Sequence, residues 1–232
     1  MRSLSETVPL GAYRVRLQRY LGSADFAFDS VAGQIIAERL PIVYAGDPVR
    51  PSLVLWACAA NDGAIADALP VAAAFDLFDR FMLLHDELAH DSGESIGRWG
   101  LGQSLNAGDA LYAVAFRSLA SDVVHPEQRL HAARIVGEAV LEAIEGRSNS
   151  TRGSALTGAA LQAGAVIAGA PDALAETFAQ AGRTLGMAGD CADATEACRL
   201  AMDSVASLRD CTDRADLDSY LEVARYIARR AA

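Results

Sequence analysis

Lysine is absent from this chain of 232 residues: all 20 basic side chains are arginine. No step of its chemistry can therefore rely on a lysine. Positive charge is scarce as well, since 30 acidic residues leave a formal net charge of −10. That balance argues against nucleic acid as a partner, because binding a polyphosphate needs a basic face. Long apolar runs are missing too. Although 52% of the residues are hydrophobic, no stretch approaches the roughly 18–20 consecutive apolar residues of a membrane helix, so no membrane span is expected. Met1 to Pro9 lack the basic-then-apolar pattern of a secretory leader, which predicts a cytoplasmic protein. The four cysteines, Cys58, Cys191, Cys198 and Cys211, show no CxxC spacing. Cys191 and Cys198 stand a heptad apart and are expected to pack as small apolar residues rather than to bind metal or form a disulfide.

Alanine-rich helical periods fill the chain, and no segment alternates like a strand. The pattern predicts helices over 10–21, 24–44, 50–61, 68–90, 103–121, 127–146, 153–169, 172–207 and 213–230. Gly46-Asp47-Pro48, Asn61-Asp62-Gly63, a glycine-rich loop from Asp91 to Gly102, Pro126, Gly146 to Ser150 and Pro171 separate them. Short loops between long amphipathic helices predict one all-α bundle spanning residues 1–232, without repeats or linkers.

Helix 68–90 carries the chemistry. Val71, Phe75, Phe78 and Met82 form a core stripe, and beside it runs a second stripe of Asp79, Leu83, Asp86 and His90. The helix ends in Asp86-Glu87-Leu88-Ala89-His90-Asp91. Carboxylates at a helix C-terminus oppose the macrodipole, each by a few tenths to about 1 kcal/mol. A divalent cation would remove that conflict, and Mg²⁺ suits one or two carboxylates completed by water and phosphate oxygens. A di-iron reading of Glu87-x-x-His90 fails because that site needs two such motifs and the chain has one.

Three segments occur in order: Arg50-Pro51-Ser52-Leu53-Val54-Leu55-Trp56, Leu83-Leu84-His85-Asp86-Glu87, and Gly102-Gln103-Ser104-Leu105-Asn106-Ala107-Gly108-Asp109-Ala110-Leu111. This run resembles the isoprenyl diphosphate (polyprenyl) synthase family, with its GKxxRP segment, its first Asp-rich motif DDxxD and its NAGDALL helix. Ala155-Leu156 through Gly164-Ala165-Val166-Ile167-Ala168-Gly169-Ala170 resembles a further helix of that family. The likeness spans roughly residues 45 to 200. It implies a helical bundle with a central pocket, in which carboxylates on facing helices hold Mg²⁺ and the metal grips an allylic isoprenyl diphosphate. Neutralising the departing diphosphate leaves an allylic cation. On this resemblance Asp86 and Glu87 are the catalytic carboxylates. Asp86, Glu87, His90, Asp91, Asp190 and Asp193 are the candidate metal ligands, and Arg50, Arg98 and Arg152 the candidate diphosphate contacts. Phe81 and Met82 are expected to floor the hydrocarbon pocket, limiting it to chains of about ten to fifteen carbons.

The chain departs from the family pattern at several of these places. His90 replaces the third acid of the first motif, with Asp91 just after it. In the second motif Asp193 matches the first acid and Asp190 the preceding Gln, while Ala194 and Ala197 replace the other two carboxylates. Asp190 and Asp193, spaced i, i+3, are expected to share a helix face. Asp47 stands in place of the GK lysine, an RRG pair is missing, and Arg152-Gly153 replaces a Lys-Thr pair. Metal carboxylates are thus better kept than the grips for isopentenyl diphosphate. The leading expectation is a Mg²⁺-dependent enzyme that ionises one allylic diphosphate, either cyclising it as a terpene synthase does or passing the prenyl group to a non-diphosphate acceptor. The alternatives are a chain-elongating short-chain synthase and an inactive regulatory subunit. The resemblance further implies a homodimer, or a heterodimer with an active homologue.

Overall fold

The computed structural model describes residues 10–23, 33–36, 49–89, 94–121, 125–146 and 149–231. It contains α1 (Leu10–Ser23), α2 (Val49–Ala59), α3 (Ile65–Ala89), α4 (Glu94–Trp99), α5 (Leu101–Ser121), α6 (Pro126–Glu145), α7 (Asn149–Ile167), α8 (Asp172–Gly189), α9 (Ala194–Ser207) and α10 (Arg214–Ala231). No strand occurs among the described residues. Of the expected helix 24–44 only residues 33–36 are described, and they are helical. None of the described helices is long and apolar enough to cross a membrane.

Glycine decides how closely the helices approach. Helix α7 runs through the middle of the bundle, against α2, α3, α6 and α8. Along the α7–α8 seam, a Cβ added to Gly182 would fall 2.8 Å from the Gly158 Cα, and one on Gly186 would fall 2.7 Å from the Ser154 Cα. Only glycine fits there, so the two backbones touch. Helix α7 is followed by a turn at Gly169 (φ 81°), where the Ala170 N–H reaches back to Ala165 O and the Gly169 N–H to Val166 O. This left-handed cap satisfies two carbonyls that would otherwise be orphaned.

The core stripe of α3 is buried as its spacing predicts: Val71, Phe75, Phe78 and Met82 are all inside. Phe78 meets Tyr112 and Phe116 edge-on, at 5.5 and 5.4 Å, which docks α3 on α5. At the other end Trp56 stacks on Tyr220 at 4.7 Å and leans on Phe178 at 5.8 Å. Its indole N–H donates to Asp216 O, and the Tyr220 hydroxyl pairs with Ser204 Oγ at 2.7 Å. One aromatic cluster thus ties α2 to α8, α9 and α10.

Three expectations need correction. The loop from Asp91 to Gly102 contains the short helix α4, stopped at Gly100 with φ 79°. The single helix 172–207 is two helices, α8 and α9, broken at residues 190–193. Asp193 ends the continuity because its carboxylate accepts from the Glu196 N–H at 2.8 Å and caps α9. The heptad joining Cys191 to Cys198 therefore crosses a break: Cys191 packs against the core as a free thiol, as expected, while Cys198 is exposed.

Candidate functional site

Helix α3 presents three carboxylates toward its neighbours, and arginine meets each of them. Asp76 and Arg80 form an almost wholly buried pair within the helix, at 2.6 Å. Asp79 receives the Arg50 guanidinium from the first turn of α2. Asp86, seven residues further along the same face, receives Arg152 from the first turns of α7 at 2.6 Å. The acids opposing the α3 dipole at its C-terminal end are thus partly offset by a cation from the next layer. Burial raises the Asp76 and Asp79 carboxyls above the usual range, against the opposite pull of Arg80 and Arg50 respectively. Each bridging arginine keeps one buried nitrogen, its Nε, without a hydrogen-bond partner among the described residues.

Asp190 reaches the same place from the C-terminus of α8. The glycine contact of Gly186 on residues 153 and 154 brings the end of α8 over the start of α7. A Cβ at Gly153 would fall 2.9 Å from the Asp190 Cγ and closer still to one carboxylate oxygen. Asp190 is exposed at the surface, and the partial desolvation of its carboxyl against Gly153 raises it, while Arg50, the Gly153 backbone N–H and Arg152 act to lower it. Asp86, Arg152, Asp190, Arg50 and Asp79 therefore converge from α2, α3, α7 and α8.

The other expected residues fall as follows. Glu87 is half-buried beside Asp86. His90 and Asp91, like Asp47, lie outside the described residues. Asp193 does not share a face with Asp190: the helix break separates them, and Asp193 is the exposed cap of α9. Arg98 sits on the ring of its neighbour Trp99, 4.8 Å from the centroid. Phe81 and Met82 are each 8% exposed, and Phe81 packs between His85 at 4.4 Å and Tyr112 at 5.5 Å. The His85 ring fits because residue 108 is glycine; a Cβ there would fall 2.7 Å from its Cδ2. Two participants were not singled out from the sequence as partners. Asp79 was signalled by its seven-residue spacing from Asp86, and Gly153 by nothing local.

The donor set suits a hard divalent cation. Among the described residues no three carboxylate, imidazole or thiolate groups gather as a ready-made cage. Mg²⁺ does not require one, since it commonly takes one or two carboxylates and fills its remaining positions with water and phosphate oxygens. Asp86 and Glu87 are two such adjacent carboxylates, and the Asp86 side chain is 45% exposed.

Known proteins resemble the chain in sequence and in fold. No family model matches the chain. A geranylgeranyl diphosphate synthase of Mycobacterium tuberculosis is 32% identical over 173 residues, covering 64% of this chain and 49% of that protein. The chain thus spans about half the length of that curated relative. In structure, a geranylgeranyl pyrophosphate synthetase of the archaeon Geoglobus acetivorans superimposes with a TM-score of 0.84 at 16% identity, over 98% of this chain and 99% of the other. A polyprenyl synthase of Caulobacter crescentus, complexed with calcium and isoprenyl diphosphate, gives a TM-score of 0.78 at 19% identity, over 96% of each chain. This chain is thus similar in sequence to isoprenyl diphosphate synthases over 64% of its length, and it shares the all-α fold of the polyprenyl synthases.

Proposed function

We propose that the chain is a Mg²⁺-dependent prenyltransferase of the isoprenyl diphosphate synthase class, which elongates an allylic isoprenyl diphosphate with isopentenyl diphosphate. This places elongation ahead of the cyclising or acceptor-transfer enzyme expected from the motif losses. The relatives named above are synthases of prenyl diphosphates, and none gives the cyclising reading specific support. The observation carrying the proposal is the meeting of Asp86 with Arg152, with Asp190 arriving from a third helix. One patch thus combines carboxylates for a metal with a cation for a diphosphate.

In this reading Asp86 and Glu87 hold Mg²⁺, which supplies charge neutralisation for the departing diphosphate. Arg152 moves from Asp86 onto the diphosphate, a planar donor exchanging one oxyanion for another. Phe81 and Met82 close the hydrocarbon end. Catalysis then depends on Arg50 and Arg152 being available as ionisation begins.

One observation favours the second reading, ionisation without elongation: Arg50, a candidate diphosphate contact, is already engaged by Asp79. Incubation with Mg²⁺, labelled isopentenyl diphosphate and each allylic partner separates the two. A longer prenyl diphosphate is the expected product. A hydrocarbon, alcohol or free diphosphate formed from the allylic substrate alone would transfer the assignment to the second reading. Activity only beside a homologous subunit would make the chain a regulatory partner.

A further inference from the structure

We propose that Asp190 is a built-in counter-anion for Arg50 and Arg152, which an incoming diphosphate must displace, and that Gly153 is the seat holding it there. The inference rests on the diphosphate site proposed above and changes the part Asp190 plays in it, from metal ligand to competitor.

The geometry begins at the glycine seam. Because Gly186 lies directly on residues 153 and 154, the next turn of α8 carries Asp190 over the start of α7. Real Cβ atoms essentially never approach a heavy atom within 3.0 Å, and one at position 153 would fall 2.9 Å from the Asp190 Cγ. Any other residue at 153 must push the carboxylate away. The seat also offers the Gly153 backbone N–H, near the N-terminal end of α7 where the helix dipole favours an anion. Arg50 and Arg152 both act on the seated carboxylate. Each already has one carboxylate of α3 as partner, Asp79 and Asp86.

The charge balance explains the consequence. Asp79 pairs with Arg50 and Asp86 with Arg152, the neighbouring Asp76–Arg80 pair balances itself, and Asp190 over Gly153 adds a formal negative charge without a cation of its own. A diphosphate approaching this patch meets arginines whose field is already answered. A merely structural aspartate would leave diphosphate affinity alone when neutralised, and a metal ligand would weaken it. A competitor predicts the opposite sign.

The test is calorimetric titration of inorganic pyrophosphate in Mg²⁺ against wild type, Asp190→Asn, Gly153→Ala and the double variant. Asp190→Asn preserves shape and removes the charge. It should bind about tenfold more tightly, the scale of one charged contact. Gly153→Ala should tighten binding similarly by evicting the carboxylate, and the double variant should gain nothing over Asp190→Asn. Circular dichroism checks that the alanine variant is folded; if it is not, the asparagine variant decides alone. Unchanged or weaker binding by Asp190→Asn, with wild type binding normally, overturns this inference and leaves the proposed function standing. Absence of pyrophosphate binding in every protein, wild type included, overturns both.

Discussion

The Trp56 cluster and the Asp86 face lie on neighbouring helices of one bundle and treat polar groups in opposite ways. Around Trp56, the indole N–H, the Tyr220 hydroxyl and the Ser204 hydroxyl all find neutral partners, and Ser204 also donates to Ala181 O at 2.7 Å. Around Asp86, charged groups are held against one another, and buried Nε atoms of Arg50 and Arg152 lack partners among the described residues. Neutral, fully bonded clusters stabilise a fold. Arginines with donors to spare, set against partly exposed carboxylates, gain little for stability. Such conflicts concentrate where a ligand is to be received.

The largest test of this contrast is Trp56→Ala. Truncating a buried tryptophan costs roughly 3–5 kcal/mol, and at this chain length each kcal/mol lowers Tm by about 2–4 °C. Thermal melting should show the loss. Below the new transition, Mg²⁺-dependent binding of an allylic diphosphate should be retained, because no residue of the Asp86 face has changed. Loss of binding while the variant is still folded would show that the two regions are not separable.

Asp86→Ala reverses the pattern. Its pair with Arg152 is substantially exposed, so stability should change by no more than about 1 kcal/mol. Turnover should fall by on the order of a hundredfold, equivalent to about 2.7 kcal/mol of transition-state stabilisation. The decisive comparison is allylic diphosphate binding with and without Mg²⁺, in wild type and variant. Equal affinity in all four conditions would remove the metal from the proposed function.

Which of these features the sequence reveals depends on how local their causes are. The core stripe of α3 is legible because it recurs at helical spacing, but the burial of Asp76 and Arg80 beside it follows from packing on all sides of the helix rather than from that spacing. The break at residues 190–193 is less so, since alanine and glycine propagate a helical pattern without marking its end. The available signal was Asp193 three residues before Glu196, an acceptor placed to cap a first turn. Asp213 marks the start of α10 in the same way, accepting from the Asp216 N–H at 2.8 Å. The seat at Gly153 is legible from no local pattern. Its cause lies on another helix, at Gly186 and Asp190, and only packing brings them together.

Phe81→Ala asks on which side of the contrast the pocket floor lies. If Phe81 faces the hydrocarbon chain, truncation lengthens an existing space, and preference should move toward geranylgeranyl diphosphate by about tenfold, within the 1–3 kcal/mol associated with overfilling a packed site. If it is ordinary core against Tyr112 and His85, the cost appears in Tm and the preference is unchanged. Competition between allylic substrates of different length, run beside a melting curve, reads both.

The smallest effect belongs to a pair outside both regions. Arg183 crosses from α8 to grip Glu142 of α6 with two nitrogens, at 2.8 and 2.9 Å, its stem lying over Gly158. Those hydrogen bonds hold the Glu142 carboxyl below its ordinary range, more strongly than its slight burial raises it. A lowered carboxyl binds protons more weakly folded than unfolded. Its contribution is therefore complete above the unfolded value, about 4.3, and is lost as the pH falls through the lowered folded value. Both side chains are about two-fifths exposed, at 39% and 40%, so solvent screening limits the contribution to roughly 0.2–1 kcal/mol. Asp76 has the opposite sign, since burial raises its carboxyl and its ionisation costs stability as the pH rises. Denaturant unfolding of wild type and Glu142→Gln should differ by that small amount at neutral pH. The difference should shrink in high salt and vanish once the pH lies below the lowered Glu142 value. A difference that persists in acid would mean that the bidentate bond is not its source, and that the α6–α8 contact depends on the shape of the side chain rather than its charge.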